Sequence, residues 1–373
     1  MKQSHLTIDM ATITHNFRAL ACAAHPAQLI PVVKADAYSA GATAISQHLV
    51  SIGAKELLVA FLQEATDLQD AGITATFYVQ HLSLHQVPRA IQAGVHVTVW
   101  SEALLEALEK EAALHDTVVS CHLMLDTGMH REGALWEDAL RLAHKLHASK
   151  YLRFFGLMSH LAVADEPTGN AQETGSAIAT FERFVTTLTT AGIPLPPVRH
   201  VANSDAVGRH AVEHQTCVRT GIALYGYSCA ASQAALNLKH ALRFTTTVLE
   251  TRTLSAGSSI GYGLTATTTK ETRVALLPVG YADGYSRMLS NKGTVSVHNT
   301  PCLILGRVSM DLLTIDISNV QQEVKVGDEA VLFGPNPTDP CLLELARLAN
   351  TIPYEIMTNV SQRVSRRYVT PRE

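Results

Sequence analysis

No block of basic residues interrupts these 373 residues, and the formal net charge is −4. A nucleic-acid partner, whose phosphates require clustered Lys and Arg, is therefore not expected. The six cysteines (Cys22, Cys121, Cys217, Cys229, Cys302 and Cys341) form no CxxC pair. They read as scattered reduced thiols, and neither a structural zinc site nor any other metal is expected. The opening MKQSHLTIDMATITHNF lacks the apolar core of a secretory signal, and no apolar run is long enough to cross a bilayer. The expectation is a cytoplasmic protein with no membrane partner. There is no short repeat and no low-complexity tract. Charged residues are only 17% against 47% hydrophobic, which argues against disorder and for a large core. The length fits a large α/β barrel followed by a second domain.

Eight apolar, β-rich runs occupy the first two-thirds: Leu29–Val33, Leu57–Phe61, Thr76–Gln80, Val95–Val99, Val118–Leu125, Phe154–Ser159, Val198–Val201 and Cys217–Leu224. Helical stretches lie between them, among them Ala42–Ile52, Glu102–Leu114, Leu135–Ala148 and Ala177–Ala191, with Thr12–Ala24 ahead of the first strand. The pattern predicts an α/β protein with an N-terminal parallel (β/α)8 TIM-type barrel over residues 1–235. An open doubly wound sheet is the alternative. From residue 236 to 373 short runs such as Phe244–Leu249, Val274–Val279, Thr294–Val297, Leu303–Val308, Leu313–Ile317 and Glu329–Phe333 alternate with Gly, Pro, Asn and Asp. This predicts a mostly antiparallel C-terminal β domain, with one helix at Leu342–Ala349.

Chemistry-bearing residues cluster where barrel strands end. Lys34 closes the first run in PVVKADAY, the position where barrels place reactive groups. A lysine amine forms a Schiff base when its surroundings favour the neutral form, but a lysine after a strand is more often simply solvated. DTGMHREG offers Arg131, MSHLA offers His160, HVANSDA offers Asn203 and Ser204, and VRTGIALYG offers Arg219, Gly221 and Ile222. Backbone N–H groups after strands seven and eight form the usual phosphate cradle of such barrels. Ser204, read as the first residue of a helix, would add a hydroxyl and a helix N-terminus. Each residue singly has a bland reading: Ser204 as an N-cap, His160 as a core histidine, Arg219 as half of an ion pair. It is their convergence on one face that points to a site.

VVKADAY, DTGMHREG, HVANSDA, VRTGIALYG, IGYG, GYADGY and GRVSMD occur in this order between residues 32 and 311, and PYEIM extends the pattern to residue 357. Together they resemble the alanine racemase family, fold-type III enzymes dependent on pyridoxal 5'-phosphate (PLP). The resemblance implies that Lys34 carries the cofactor and acts as one of two acid/base groups. Tyr262 is the other. Tyr38, Ser204, Gly221, Ile222 and Tyr354 would hold the phosphate, with Asn203 beside it. His160 would pack on the pyridine ring, and Arg219 would bond its nitrogen. Arg131 would contact the cofactor's phenolic oxygen and the substrate carboxylate. Met310 would offer its backbone N–H to that carboxylate, with Tyr281 and Asp311 lining the way in. The resemblance also implies a homodimer in which Tyr262 and Met310 reach the partner's site. Tyrosine, with an ordinary pKa of about 10, needs a cationic neighbour to act as a base; a His160–Arg219 pair is the candidate. The implied reaction is interconversion of L- and D-alanine, supplying D-alanine for peptidoglycan.

Three positions depart from the family pattern. Met124 stands where the family commonly has a lysine whose carbamylated side chain helps position the arginine; Met124 cannot be carbamylated, so something else must orient Arg131. Ser39-Ala40 replaces the usual Gly-His, and Glu132 replaces an apolar residue. An acid there could repel a substrate carboxylate or pair with a second substrate amine. A racemase for serine, or for a broader set of amino acids, therefore stays open. A PLP decarboxylase of related fold would need a catalytic Cys motif that neither Cys302 nor Cys341 provides, and a non-catalytic PLP-binding protein would lack the long β domain.

Overall fold

The computed structural model describes residues 4–165, 171–207, 215–228 and 230–370; Cys229 lies outside them. The first strand, β1 (His5–Asp9), is taken up with the C-terminal sheet below.

One compact unit comprises Thr14–Ala37 and Ala42–Leu238. It holds eight parallel strands: β2 (Gln28–Pro31), β3 (Glu56–Phe61), β4 (Thr76–His81), β5 (His96–Val99), β6 (Val119–Met124), β7 (Leu152–Met158), β8 (Val198–His200) and β9 (Cys217–Thr220). Strands β3 to β8 pair in chain order, and β2 pairs with β9. Backbone bonds close the ring on both sides. Val33 N donates to Leu58 O (2.9 Å), joining β2 to β3, and Thr216 N donates to Arg199 O (2.8 Å), joining β9 to β8. The barrel follows from the strand composition. Runs such as Leu57, Leu58 and Val59 are buried on both faces, as parallel strands covered by helices require. The helix Trp136–Ala148 shows the covering pattern: Ala139, Leu142, Ala143 and Leu146 are buried, a spacing that puts them on one face.

The element boundaries differ from the sequence reading in particular places. The eighth run breaks at Thr220: Gly221 intervenes, and Ile222–Tyr225 is a 3-10 turn. Helices over Leu62–Asp70 and Val87–Gln92 supply two of the helical connections that the barrel pattern implied without bounds; both are too short for a clear apolar period. Ser204 opens a turn, not a helix, in the described residues, with Ala206 N and Val207 N both bonded to Asn203 O.

The second unit gathers the N-terminal segment through Ile13, Tyr38–Gly41, and the chain from Lys239 onward. Its nine-stranded sheet runs β11-β14-β17-β16-β15-β18-β10-β1-β19. The ranges are β10 (Leu242–Thr247), β11 (Glu250–Leu254), a small β12 (Ser259–Ile260) and β13 (Ala266–Thr267) pair, β14 (Thr272–Leu277), β15 (Thr294–Val297), β16 (Thr300–Leu305), β17 (Leu313–Asp316), β18 (Glu329–Phe333) and β19 (Ser365–Val369). Pairing is antiparallel except between β1 and β19. Strand β1 was placed above with residues 1–235. It instead inserts between β10 and β19, with Leu6 opposite Phe244 and Arg366. Its Leu6 and Ile8 alternate into the core, but its partners lie far downstream, beyond the reach of local pattern.

Candidate active site at the barrel strand ends

Lys34 lies three residues past the end of β2. After it, Ala35, Asp36, Ala37, Tyr38 and Ser39 all have φ between 52° and 63°. None is glycine, so this left-handed turn costs roughly 1–2 kcal/mol per residue. Such strain persists only where the surroundings over-determine it, and here they do. The Glu64 carboxylate accepts from Ala35 N (2.7 Å), Ala60 N (2.7 Å) and Phe61 N (3.0 Å). Asp36 Oδ1 accepts from Ala42 N (2.7 Å), and the buried Tyr225 hydroxyl donates to Ala37 O (2.6 Å). The lysine is thereby fixed at the rim, and Glu64 and Tyr225 are participants that the motifs alone did not reveal. Burial lowers the Lys34 pKa, and the positive charges of Arg131 and Arg219 lower it further, against smaller opposing effects of Glu64 and Glu132. The amine is held toward its neutral, nucleophilic form.

Arg219, on β9, is buried and bonded on both terminal nitrogens. NH1 donates to His200 Nδ1 (2.9 Å) and His200 O (2.8 Å); NH2 donates to Ser159 O (2.7 Å) and His160 Nδ1 (3.1 Å). The His160–Arg219 pair expected from the sequence is thus in contact. Burial brings the Arg219 pKa down to about 10, leaving it a cation at neutral pH. Burial first, then Arg219, Arg131 and Lys34, lowers His160 to about 3, so its ring is neutral.

Past β8 and β9, Gly221 N donates to Ser204 Oγ (3.1 Å), which leaves the hydroxyl proton free for an acceptor. Asn203 Nδ2 donates to Leu161 O (3.3 Å), and its Oδ1 accepts from Ala206 N (3.2 Å). Ile222 is buried beside Gly221. The Gly221–Ser204 bond thus joins the segment after β8 to the segment after β9. Arg131 lies after β6, where Met124 is buried in the core. Its guanidinium is gripped by Glu132, through Nε to Oε2 and through NH2 to Oε1 (2.7 Å), while Gln80 Nε2 holds the same carboxylate at 3.0 Å. Glu132 was expected to repel or recruit a substrate group; the structure commits it to Arg131 instead.

The remaining candidate residues belong to the β unit. Tyr38 and Tyr354 rings lie 6.1 Å apart, and burial pushes the Tyr38 hydroxyl pKa up. Tyr262 is 72% exposed, carried between Gly261 and Gly263, both at φ 73°; a side chain at Gly263 would press on the Arg307 guanidinium. Two further bonds, Tyr281 N to Ser309 O (3.1 Å) and Ala282 N to Met310 O (3.0 Å), tie the turn of Tyr281 to the segment that carries Met310. Arg363 NH1 in turn holds Asp311 Oδ1 (2.7 Å).

This donor set fits PLP. A lysine amine held toward neutrality matches the aldehyde, a guanidinium set beside a neutral imidazole matches the ring, and the Ser204 hydroxyl, whose oxygen accepts from Gly221 N while its proton stays available, matches the phosphate.

Residues 8–229 match the family model for the alanine racemase N-terminal domain, and residues 241–368 that for the C-terminal domain. An alanine racemase of Symbiobacterium thermophilum is 36% identical over 99% of this chain and 97% of the relative. That of Cutibacterium acnes is 35% identical over 98% of both. Among solved structures, the alanine racemase of D-cycloserine-producing Streptomyces lavendulae superposes with a TM-score of 0.93 at 31% identity, covering 99% of this chain and 97% of that one. The Bartonella henselae enzyme, described with covalently bound pyridoxal phosphate, superposes with a TM-score of 0.89 at 27% identity, covering 98% and 99%. Fold and site together define a PLP-dependent amino-acid racemase. Within that class, the chain belongs to the alanine racemase family.

Proposed function

We propose that this chain interconverts L-alanine and D-alanine by a two-base mechanism, with Lys34 and Tyr262 as the acid/base groups. The observation that carries the reading is the Lys34 amine, anchored by a strained turn and held toward neutrality by burial and two arginines. Racemisation removes a proton from one face of the α-carbon and returns one to the other, so it needs two groups on opposite sides. Bound PLP supplies the electron sink that acidifies the α-proton. Around it, Ser204, Gly221, Ile222, Tyr38 and Tyr354 would hold the phosphate, with Asn203 alongside. His160 would pack on the ring and Arg219 would bond its nitrogen. Arg131, aimed by Glu132, would bind the substrate carboxylate with the Met310 N–H; Tyr281 and Asp311 would line the approach.

We further infer a homodimer with shared sites. Tyr262, Leu264, Tyr281, Met310 and Leu312 are all exposed in the single chain, a group of apolar side chains suited to a second copy. Cytoplasmic residence and supply of D-alanine for peptidoglycan complete the reading; among the described residues no helix is long and apolar enough to cross a membrane.

The test is to incubate the PLP-loaded protein with single L-amino acids and quantify each D-enantiomer by chiral chromatography. D-Alanine should dominate. Dominant D-serine would transfer the assignment to a serine racemase, and no D-product from any amino acid would sink the racemase reading.

A further inference from the structure

Behind Arg219, three histidines from three strands run in an unbroken line through the barrel interior. Arg219 NH1 meets His200 Nδ1 at 2.9 Å, His200 Nε2 meets His122 Nδ1 at 3.1 Å, and His122 Nε2 meets His96 Nδ1 at 3.2 Å. A guanidinium can only donate, and this fixes every proton in the line. His200 Nδ1 must accept, so a neutral His200 carries its proton on Nε2 and donates it to His122 Nδ1. By the same step His122 donates from Nε2 to His96. All three rings hold one tautomer, with their lone-pair ends turned toward Arg219.

The surroundings keep the rings neutral. Among the described residues the line has a cation at each end: Arg219 opposes protonation of His200 and His122, and Arg153 opposes that of His96. Burial is the larger cause in every case, and it brings His96 to about 4. Tyr78 packs against the line, stacked on His96 at 5.0 Å and 8° and tilted on His122 at 4.4 Å, with its hydroxyl donated to Glu56 (2.9 Å). The barrel wall makes room for it. Strand β7 lies between β6 and β8 and bulges opposite Cys121–His122. There it presents Gly156, where any Cβ would overlap the His122 ring. Among the described residues no group of three or more His, Cys, Asp and Glu is placed to hold a metal ion.

We propose that His122 and His96 are positioning residues: with His200 they form a column of neutral imidazoles, each donating from Nε2 to Nδ1 of the next, that fixes the orientation of the Arg219 guanidinium. Neither touches the reacting atoms. Their consequence for the reaction rests on the reading above, in which Arg219 bonds the cofactor's ring nitrogen. Without His122, the buried His200 Nε2–H has no partner, and the ring is released to rotate or exchange tautomer. The clamp on Arg219 NH1 then loosens.

Histidine ring ¹⁵N spectra of the PLP-loaded protein, recorded from pH 5.5 to 8.5, read the column directly. His200, His122 and His96 should each give the neutral, Nε2-protonated pattern throughout. His122→Gln, whose carbonyl and amide can replace both links, should leave the His200 pattern in place. His122→Leu should shift or split it. In parallel, the ratio of transamination (pyruvate formed from L-alanine) to racemisation should rise about tenfold in His122→Leu, the order expected when one buried donor loses its partner. It should stay near the parental value in His122→Gln. If His122→Leu does not fold, His96→Leu provides the same reading on the His122 signals. A protonated or Nδ1–H state at His200 or His122 in the parent, or equal effects of Gln and Leu, overturns the column. Signals that behave as expected with an unchanged ratio would retain the column and refute the placement of Arg219 at the ring nitrogen.

Discussion

The carboxylate of Glu132 and the guanidinium of its neighbour Arg131 are joined side by side, Oε2 to Nε and Oε1 to NH2. Glu132 is 7% exposed in its side chain and Arg131 52%, so the acid is the fixed member and the arginine the one it aims. The Arg131 bond holds the Glu132 pKa below the usual carboxylate range, and Gln80 contributes a lesser effect. Here, then, is the anion that Met124 cannot supply. Replacing Glu132 with Ala should lower kcat/KM for L-alanine by about tenfold, mainly through KM, by freeing a charged side chain from two bonds. Glu132→Gln, which keeps one acceptor, should lose less. Unchanged steady-state kinetics in Glu132→Ala would show that Arg131 needs no such guide.

Borohydride reduction of the loaded enzyme followed by peptide mapping should place the pyridoxyl label on Lys34. A label on any other lysine contradicts the site.

The same lysine carries a pH signature in the cofactor-free protein. Its pKa is lowered on folding from the ordinary 10.5. The unfolded chain therefore binds more protons at this position between the lowered value and 10.5, and stability rises with pH across that window. Urea midpoints measured through the window should climb in the parent and climb less in Lys34→Met. Parallel slopes would mean that folding does not perturb the amine.

Arg219 stays charged at neutral pH and is a poor donor of a full proton to a ring nitrogen. Replacing it with Glu should raise the yield of pyruvate per racemisation event, because a more fully protonated ring is a stronger electron sink. No increase counts against this role for Arg219.

Gly156→Ala tests the barrel interior from the neighbouring strand. The added methyl has nowhere to go but into the His122 ring, and overpacking of this kind costs about 1–3 kcal/mol. Thermal unfolding should show the loss, and His122→Ala in the same chain should recover part of it.

The barrel strands were legible because apolar runs of the right length repeat with helical spacers, and the placement of the barrel's candidate site residues because the motifs fall where those strands end. What was not legible has physical causes. The left-handed turn at Ala35–Ser39 contains no glycine to announce it; the bonds that impose it come from Glu64 and Tyr225, remote in sequence. Glu132 read as a threat to the substrate because its partner is set by rotamer and not by spacing. His96, His122 and His200 each sit in a short apolar strand. A polar residue at such a position was the available signal, but only the closed barrel brings the three together. Likewise HLTID alternates like a strand, yet nothing local names its neighbours.

Those neighbours have a further consequence. Strand β1 is flanked by β10 and β19, so the fifth residue of the chain lies opposite residue 365. A strand bonded along both edges leaves the sheet only if two sets of hydrogen bonds break together. Segments remote in sequence are thereby tied into one cooperative unit, and β1 resists peeling in a way that β19, the outermost strand of the sheet, does not.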